Sequence, residues 1–303
     1  MRVFLTGGTG FVGRRIVRAL LDRGDEVVVV SRDPSSAKLP TPVKLVEGDP
    51  TVAGPWMDAV PECEGAINLA GEPIVGARWT EERKQKLIGS RVFGTRNLVE
   101  AMGRAGSRTR VLVSTSAVGY YGPSGDHVLD ESSHPGHDFL ADLCQSWELE
   151  ARRAAELYHK RSVQIRVGVV LGLGGGALEK MVAPFKAFVG GPLGSGAQWT
   201  SFIHVDDLAA LYLFALDDGR ASGPMNGTAP NPCTMKDLCQ SLGKALHRPS
   251  WLPAPAFAIK LAFGESSTVL LDGQKVIPKQ AEDLGFSFRH PTIDDALTNL
   301  FLR

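Results

Sequence analysis

The stretch Arg2-Val3-Phe4-Leu5-Thr6-Gly7-Gly8-Thr9-Gly10-Phe11-Val12-Gly13 sets a short apolar run directly against a glycine cluster, with Gly8, Gly10 and Gly13 in G-x-G-x-x-G spacing. A strand that stops at Thr6 has to reverse sharply into a helix. Glycine adopts the positive φ angles such a turn needs and lets backbone N–H groups approach a pyrophosphate closely. Gly13 has no side chain to hold the helix off the strand. The bare pattern is a weak signal, because glycine-rich turns are common in loops, and its flanks strengthen it. Residues 11 to 23 carry Phe11, Val12, Ile16, Val17, Ala19, Leu20 and Leu21 at helical spacing and end at Gly24. The unit predicted is strand, phosphate-binding turn and helix, with a turn that binds no ligand as the alternative.

The pattern repeats outward from there. Apolar runs at 26 to 31, 43 to 47, 65 to 70, 110 to 114 and 163 to 170 read as strands, and Val27-Val28-Val29-Val30 suits a strand buried on both faces. Helical patterns at about 11 to 23, 80 to 104 and 138 to 160 alternate with them. That alternation predicts an α/β fold of Rossmann type, a doubly wound parallel sheet with helices on both sides. After residue 170 the texture changes: a glycine-rich turn at 172 to 176, a helix near 177 to 189, glycines from Gly190 to Gly196, a helix near 234 to 246, prolines from Pro249 to Pro255 and an amphipathic close at 292 to 302. We therefore expect a dinucleotide-binding domain over 1 to 170 with about 200 to 230. A smaller C-terminal substrate domain is expected over about 171 to 199 and 231 to 303, with the substrate in the crevice between them.

At the end of the second strand an acidic residue would accept hydrogen bonds from both adenosine ribose hydroxyls of NAD. Ser31 and Arg32 stand there instead. A guanidinium can pair with a 2′-phosphate through two parallel hydrogen bonds and stack on adenine, so NADP(H) is the expected cofactor. Asp33 is a rival acidic partner, but Pro34 follows it and turns the chain away.

Bulk composition narrows the function classes. Lys plus Arg equals Asp plus Glu at 33 each, which implies no net attraction to nucleic acid or to an anionic membrane. No stretch approaches the roughly 18 apolar residues of a membrane span, and a strand beginning at residue 2 leaves no room for a signal peptide, so the expected location is cytoplasmic. Cys63, Cys144, Cys233 and Cys239 show no C-x-x-C pair or ligand spacing and read as reduced thiols, with no metal site expected.

Four motifs taken together make the chain resemble the extended short-chain dehydrogenase/reductases, the NAD(P)-dependent epimerase/dehydratase family. They are Thr6 to Gly13, Asn68-Leu69-Ala70-Gly71, Ser114-Thr115-Ser116-Ala117-Val118-Gly119-Tyr120-Tyr121-Gly122 and Phe202-Ile203-His204-Val205-Asp206-Asp207-Leu208-Ala209. A closer resemblance is to the SulA-like, cell-division-inhibitor-like branch of epimerases. It rests on Gly71-Glu72-Pro73-Ile74, Arg78-Trp79, Ile88-Gly89-Ser90-Arg91, Arg166 to Gly172, Gly190 to Gly196 and Gly273 to Pro278. The resemblance implies a cofactor site built from Gly7, Thr9, Gly10, Phe11, Val12, Gly13, Ser31, Arg32, Leu69, Ala70, Gly71, Arg91, Ser114 and Val170. It supplies no substrate. Relatives often dimerise through the helices corresponding to 80 to 104 and 138 to 160, which implies a homodimer.

The chain departs from that family at the residues that do its chemistry. Active members carry Tyr-x-x-x-Lys with a glutamate eight residues after the tyrosine; anchoring on Glu148 puts Leu140 and Cys144 at those two places. Leucine cannot pass a proton, and a thiol lacks the ammonium charge that lowers the tyrosine pKa. None of Tyr120, Tyr121, Tyr158 or Tyr212 has Lys four residues on. The remaining catalytic candidates are Ser116, near the place of the family's catalytic hydroxyl, and Tyr120 and Tyr121, which follow the serine strand; packing is the competing role for each tyrosine. His204 reads as structural, Asp206 and Asp207 as caps of the next helix, Glu72 and Arg78 as loop charges near the ligand, Trp147 and Trp199 as packing residues, and Gly174 to Gly176 as a lid. Two functions stay open: an NADP-dependent oxidoreductase or epimerase with an atypical proton shuttle, and a catalytically silent NADP(H) sensor recognised by a partner.

Overall fold

A computed structural model describes residues 1–301 of the chain. Its strands are β1 (Arg2–Thr6), β2 (Glu26–Ser31), β3 (Lys44–Glu47), β4 (Gly65–Asn68), β5 (Val111–Ala117), β6 (Val128–Leu129), β7 (Arg161–Val167), β8 (Val169–Leu171), β9 (Trp199–Thr200), β10 (Phe202–His204), β11 (Gly223–Gly227), β12 (Cys233–Thr234) and β13 (Lys275–Val276). Its helices are α1 (Phe11–Asp22), α2 (Glu81–Met102), α3 (Phe139–Tyr158), α4 (Gly176–Lys186), α5 (Val205–Asp217), α6 (Met235–Leu246), α7 (Ala256–Phe263), α8 (Thr268–Leu271), α9 (Lys279–Asp283) and α10 (Ile293–Phe301). The expected C-terminal helix is thus α10; the last expected position, 302, lies outside the described residues.

Seven strands form one parallel sheet in the order β3-β2-β1-β4-β5-β7-β11. The order reverses direction between β1 and β4, and a crevice opens there at the carboxyl ends of the strands. Ile16, Val17, Leu20, Leu208, Tyr212 and Ala215 from α1 and α5 pack on one face against Val3, Leu5, Val27 and Val29. On the other, Trp56, Leu98, Val99, Met102, Ala151 and Ala154 pack against Phe4, Val28, Val30 and Leu112. Burial on both faces is why β1 and β2 read as unbroken apolar runs rather than alternating ones.

The expected strand over 163 to 170 is two strands, broken at Gly168. A Cβ there would lie 2.2 Å from the Ser201 carbonyl oxygen, so the crossing needs glycine. Past it β8 leaves the main sheet and pairs in parallel with β10. Leu171, Leu178, Phe185, Phe202, Leu242 and Leu297 form the core of the C-terminal lobe around this point. The tail then returns to the first lobe: Leu284, Phe286 and Phe288 pack on the sheet's own core. Asp206 and Asp207 do not cap α5 through their side chains. The His204 ring accepts from the Asp206 N–H at 3.1 Å, Asp206 pairs with Arg15, and Asp207 accepts from the Arg289 and His290 N–H groups at 3.0 and 2.9 Å, which pins the returning tail.

Candidate functional site

A groove of about 1050 Å³ runs along the crevice. Gly7, Thr9 and Gly10 form one side, Ser31 and Arg32 one end, and Leu69, Ala70 and Gly71 the other side. Gly7 has φ +65, and a Cβ on it would lie 2.7 Å from the Leu69 carbonyl carbon. The two loops are stitched by Thr6 Oγ1, which accepts from the N–H groups of Leu69 and Ala70 at 3.2 and 3.1 Å. A Cβ on Gly13 would lie 2.2 Å from the Gly7 carbonyl oxygen, so α1 sits against the turn. α1 has no side-chain cap and no acidic residue in its first turn. Its first N–H groups and the positive end of its dipole are left for an anion. These features fit a dinucleotide pyrophosphate.

The adenosine end of the groove is cationic. Arg32 is exposed and makes no hydrogen bond or ion pair among the described residues. Asp33 is turned into its own loop: Oδ1 accepts from the Ser35 N–H at 3.1 Å, the Ser35 hydroxyl at 2.6 Å and the Ser36 N–H at 3.2 Å, which together hold its carboxyl below the usual range. Arg14 and Lys38 also line this end, and Phe93, 49 % exposed, offers a ring on which a flat base can stack. The sequence reading passed over all three. Arg14 directly follows Gly13, and Phe93 lies between Arg91 and Arg96 on α2; those were the available signals.

A second pocket of about 340 Å³ lies deeper, floored by β5 and α3 and roofed by residues 268 to 274. Ser116, Leu140 and Cys144 line it together, so the three positions aligned from sequence meet in one cavity. Burial, with Glu148 nearby, pushes the Cys144 thiol up to about 12, leaving it neutral. Arg91 lines the same pocket and reaches the seam with the groove, its Cζ 3.2 Å from where a Gly71 Cβ would be. It donates to the Glu72 carbonyl at 2.8 Å and lies 5.2 Å over the Trp147 ring. Burial pulls its pKa down to about 10.

Below the pocket is a charged cluster whose pairing no local sequence pattern announces. Glu148 and Arg166 are 1 % and 2 % exposed. Arg166 donates from Nε to Glu148 Oε1 at 2.8 Å and from Nη2 to Oε2 at 2.9 Å; the Ser116 hydroxyl donates to Oε1 at 2.7 Å. Tyr120 stacks on the Arg166 guanidinium at 3.4 Å, and the Tyr121 hydroxyl donates to Asn226 Oδ1 at 2.7 Å while accepting from Arg166 at 3.0 Å. Neither tyrosine lines the pocket, and burial pushes the Tyr121 phenol up to about 12. Of the three catalytic candidates, the structure brings only Ser116 to the cavity.

Ser114, Val12, Val170 and Phe11, all expected cofactor residues, do not line the groove; the first is fully buried and the other three half-buried. Ser114 is fully buried and accepts from the Asn68 amide at 3.1 Å, in a network with Thr6 and Thr95. Val12 and Val170 pack against the core, and Phe11 is wrapped by Gly172, Gly175 and Gly176. The glycine segment expected as a lid is therefore folded onto Phe11. Arg78 is not a free loop charge: it donates to the Leu261 carbonyl and, at 3.2 Å, to that of Ala262, at the end of α7. Glu72 pairs with Arg83 at 3.1 Å. Among the described residues no group of three or more His, Cys, Asp or Glu could hold a metal ion, and no helix is long and apolar enough to cross a membrane.

A model of the NAD dependent epimerase/dehydratase family matches residues 3–226, and a Domain of unknown function (DUF1731) matches residues 254–300. The epimerase family protein SDR39U1 homolog, chloroplastic, of Arabidopsis thaliana is 46% identical over 300 residues, covering 98% of this chain and 86% of its own. The crystal structure of human epimerase family protein SDR39U1 (isoform2) with NADPH has a TM-score of 0.88 at 35% identity, with all of both chains covered. A nucleoside-diphosphate sugar epimerase from Corynebacterium glutamicum has a TM-score of 0.79 at 31% identity over 99% of this chain and 58% of its own. With the family model spanning residues 3–226 and these relatives matching nearly the whole chain, the chain belongs to the NAD dependent epimerase/dehydratase family of extended short-chain dehydrogenase/reductases.

Proposed function

We propose that this protein binds NADP(H) and uses it as an oxidoreductase on a small molecule held in the inner pocket. The cofactor would be held by the glycine turn and the first N–H groups of α1 at its pyrophosphate, and by Ser31, Arg32, Arg14 and Lys38 at its 2′-phosphate. The observation that carries the cofactor choice is Arg32, an uncommitted guanidinium beside an Asp33 already engaged by its own loop. The human relative crystallised with NADPH supports it. When bound, the cofactor supplies or accepts hydride.

The chain's own groups set what else can happen. Because the Ser116 proton is directed at Glu148, Ser116 Oγ presents a lone pair to the pocket, and a substrate hydroxyl would donate to it. Arg166 holds Glu148 in place from the far side. Leu140, Leu143 and Trp147 exclude water, and neutral Cys144 adds no charge. Ser116 thus orients the reacting oxygen, without the proton transfer that a Tyr-Lys pair would give.

Leu140 and Cys144 also support a second reading, an NADP(H)-binding protein that performs no turnover. NADPH absorbance followed across aldehydes, ketones and quinones separates the two: turnover that falls at least tenfold in Ser116→Ala supports the first. Absence of turnover throughout, with NADPH still raising the melting temperature, supports the second. Failure of both NADPH and NADH to shift melting overturns the cofactor reading itself. The exposed Leu149 and Leu157 on α3, 50 % and 53 % accessible, support the expected homodimer.

A further inference from the structure

We infer that the inner pocket takes a small, uncharged, largely apolar molecule bearing a hydroxyl or carbonyl group, and does not take a nucleoside diphosphate sugar. This rests on the reading of the pocket as the substrate site. The Corynebacterium relative is named for a nucleoside-diphosphate sugar, a ligand with two phosphate charges that a protein must neutralise with cations or helix N-termini.

The pocket offers no such group. Among the described residues its one cationic lining residue is Arg91. That guanidinium is committed, donating to the Glu72 and Leu87 carbonyls at 2.8 and 3.3 Å and lying over Trp147. The ionisable groups of opposite sign are Asp138 and Asp272, and neither has an ionic partner among the described residues. Asp138 accepts only from the Ala141 N–H, at 2.8 Å, as the cap of α3. Lys180, near Gly76, and Lys275, 4.1 Å over the Trp199 ring, are not among the lining residues. A diphosphate placed here would face the half-buried Asp138 and exposed Asp272 carboxylates with no uncommitted cation among the lining residues, which opposes binding.

What the pocket does offer is apolar surface with a few convergent polar atoms, the usual make-up of a site for a small neutral ligand. Ile74, Leu140, Leu143, Trp147 and Val269 supply the surface. Ser116 Oγ, whose proton goes to Glu148, would supply an acceptor on the proposed reading. The segment that leads into the roof is fastened to the first lobe: Ser266 Oγ donates to the Ala77 carbonyl at 3.1 Å, Lys84 pairs with Glu265 at 2.7 Å, and Arg78 holds the end of α7. A volume of about 340 Å³ under that roof limits the size of the guest, and any cofactor end that enters reduces it further.

The test uses the full-length protein saturated with NADPH, and ligand-observed saturation-transfer NMR with two probes, 1-phenylethanol and UDP-glucose. The expected result is a 1-phenylethanol signal with an affinity near ~1 mM, the scale for a ligand of that size. That signal should weaken at least about tenfold in both Leu140→Trp and Val269→Trp, which fill the cavity from floor and roof, and UDP-glucose should give none. The NADPH-induced melting shift in the same samples reports that the variants are folded and loaded. A UDP-glucose signal with that shift intact overturns the substrate class alone, as does a 1-phenylethanol signal that is absent or unaffected by either folded variant. Loss of the NADPH shift in the unmutated protein overturns the functional reading beneath it.

Discussion

Replacing Glu148 with glutamine tests whether the buried cluster beneath Ser116 is a compensated ion pair. Glu148 accepts three hydrogen bonds, at 2.7 Å from Ser116 and at 2.8 and 2.9 Å from Arg166, and both charges lie almost wholly out of solvent. Glutamine keeps the size but removes the charge, and it turns an NH₂ group toward an Arg166 N–H. Removing one partner of a buried pair strands the other, at a cost of about 3–5 kcal/mol. With an unfolding entropy of about 2.1 cal/mol/K per residue over 303 residues, that lowers Tm by about 5–8 °C. Calorimetry of the purified variant reads the shift directly, and raising NaCl to ~1 M should change it little, since buried pairs are weakly screened. The double variant Glu148→Leu with Arg166→Met should be less destabilised than either single change, because no charge is left unpaired. Tyr121 keeps Asn226 as its acceptor; Ser116 loses its acceptor, and the Tyr121 hydroxyl and the Glu131 carbonyl lose the Arg166 donor, all neutral groups. A Glu148→Gln loss below about 1 kcal/mol, or a double variant that simply sums the singles, would refute this account.

Arg32→Ala should weaken NADPH binding about ten- to a hundredfold in a fluorescence titration while leaving NADH almost unchanged; equal losses for both would show that Arg32 does not read the 2′-phosphate. Burial raises the thiols of Cys63 and Cys239 to about 11 and of Cys144 and Cys233 to about 12. A thiol reagent at about pH 8 should therefore find no rapidly reacting cysteine in the native protein and all four after denaturation. Because these thiols ionise in the unfolded chain before they do in the folded one, their contribution to stability is present below the unfolded value near 9 and declines as pH rises toward 11 to 12, which alkaline melts would detect. Light scattering should give a dimer that Leu149→Lys with Leu157→Lys converts to a monomer; a monomer before mutation refutes the pairing through α3.

Much of this molecule was legible because its signals are local. Gly7 to Gly13 carry their own turn geometry, and Val27 to Val30 carry the burial of a central parallel strand. β11 escaped notice because Gly223-Pro224-Met225-Asn226-Gly227 has no apolar run, and its place at the sheet edge explains how Pro224 is tolerated. α7 escaped because Pro253 and Pro255 read as an irregular passage, yet Pro255 only precedes the helix that follows. Gly168 could have warned of the break in the strand at 163 to 170, but the approach of Ser201 that demands it comes from 33 positions further on.

The site divides along the same line. The phosphate turn was readable because its residues act through their own backbone; the inner pocket was not, because what it does depends on which side chains are already committed. Arg91 looks like a cation available to a ligand until its carbonyl partners are known, and Tyr121 looks like a proton donor until Asn226 and Arg166 claim its hydroxyl. Leu140 and Cys144 differ in kind. From sequence they register only as the loss of a tyrosine and a lysine, whereas in the folded chain they are uncharged walls of the cavity that Ser116 also lines. On the oxidoreductase reading proposed above, Ser116 would orient the reacting oxygen, and Leu140 and Cys144 would set which molecules the pocket admits.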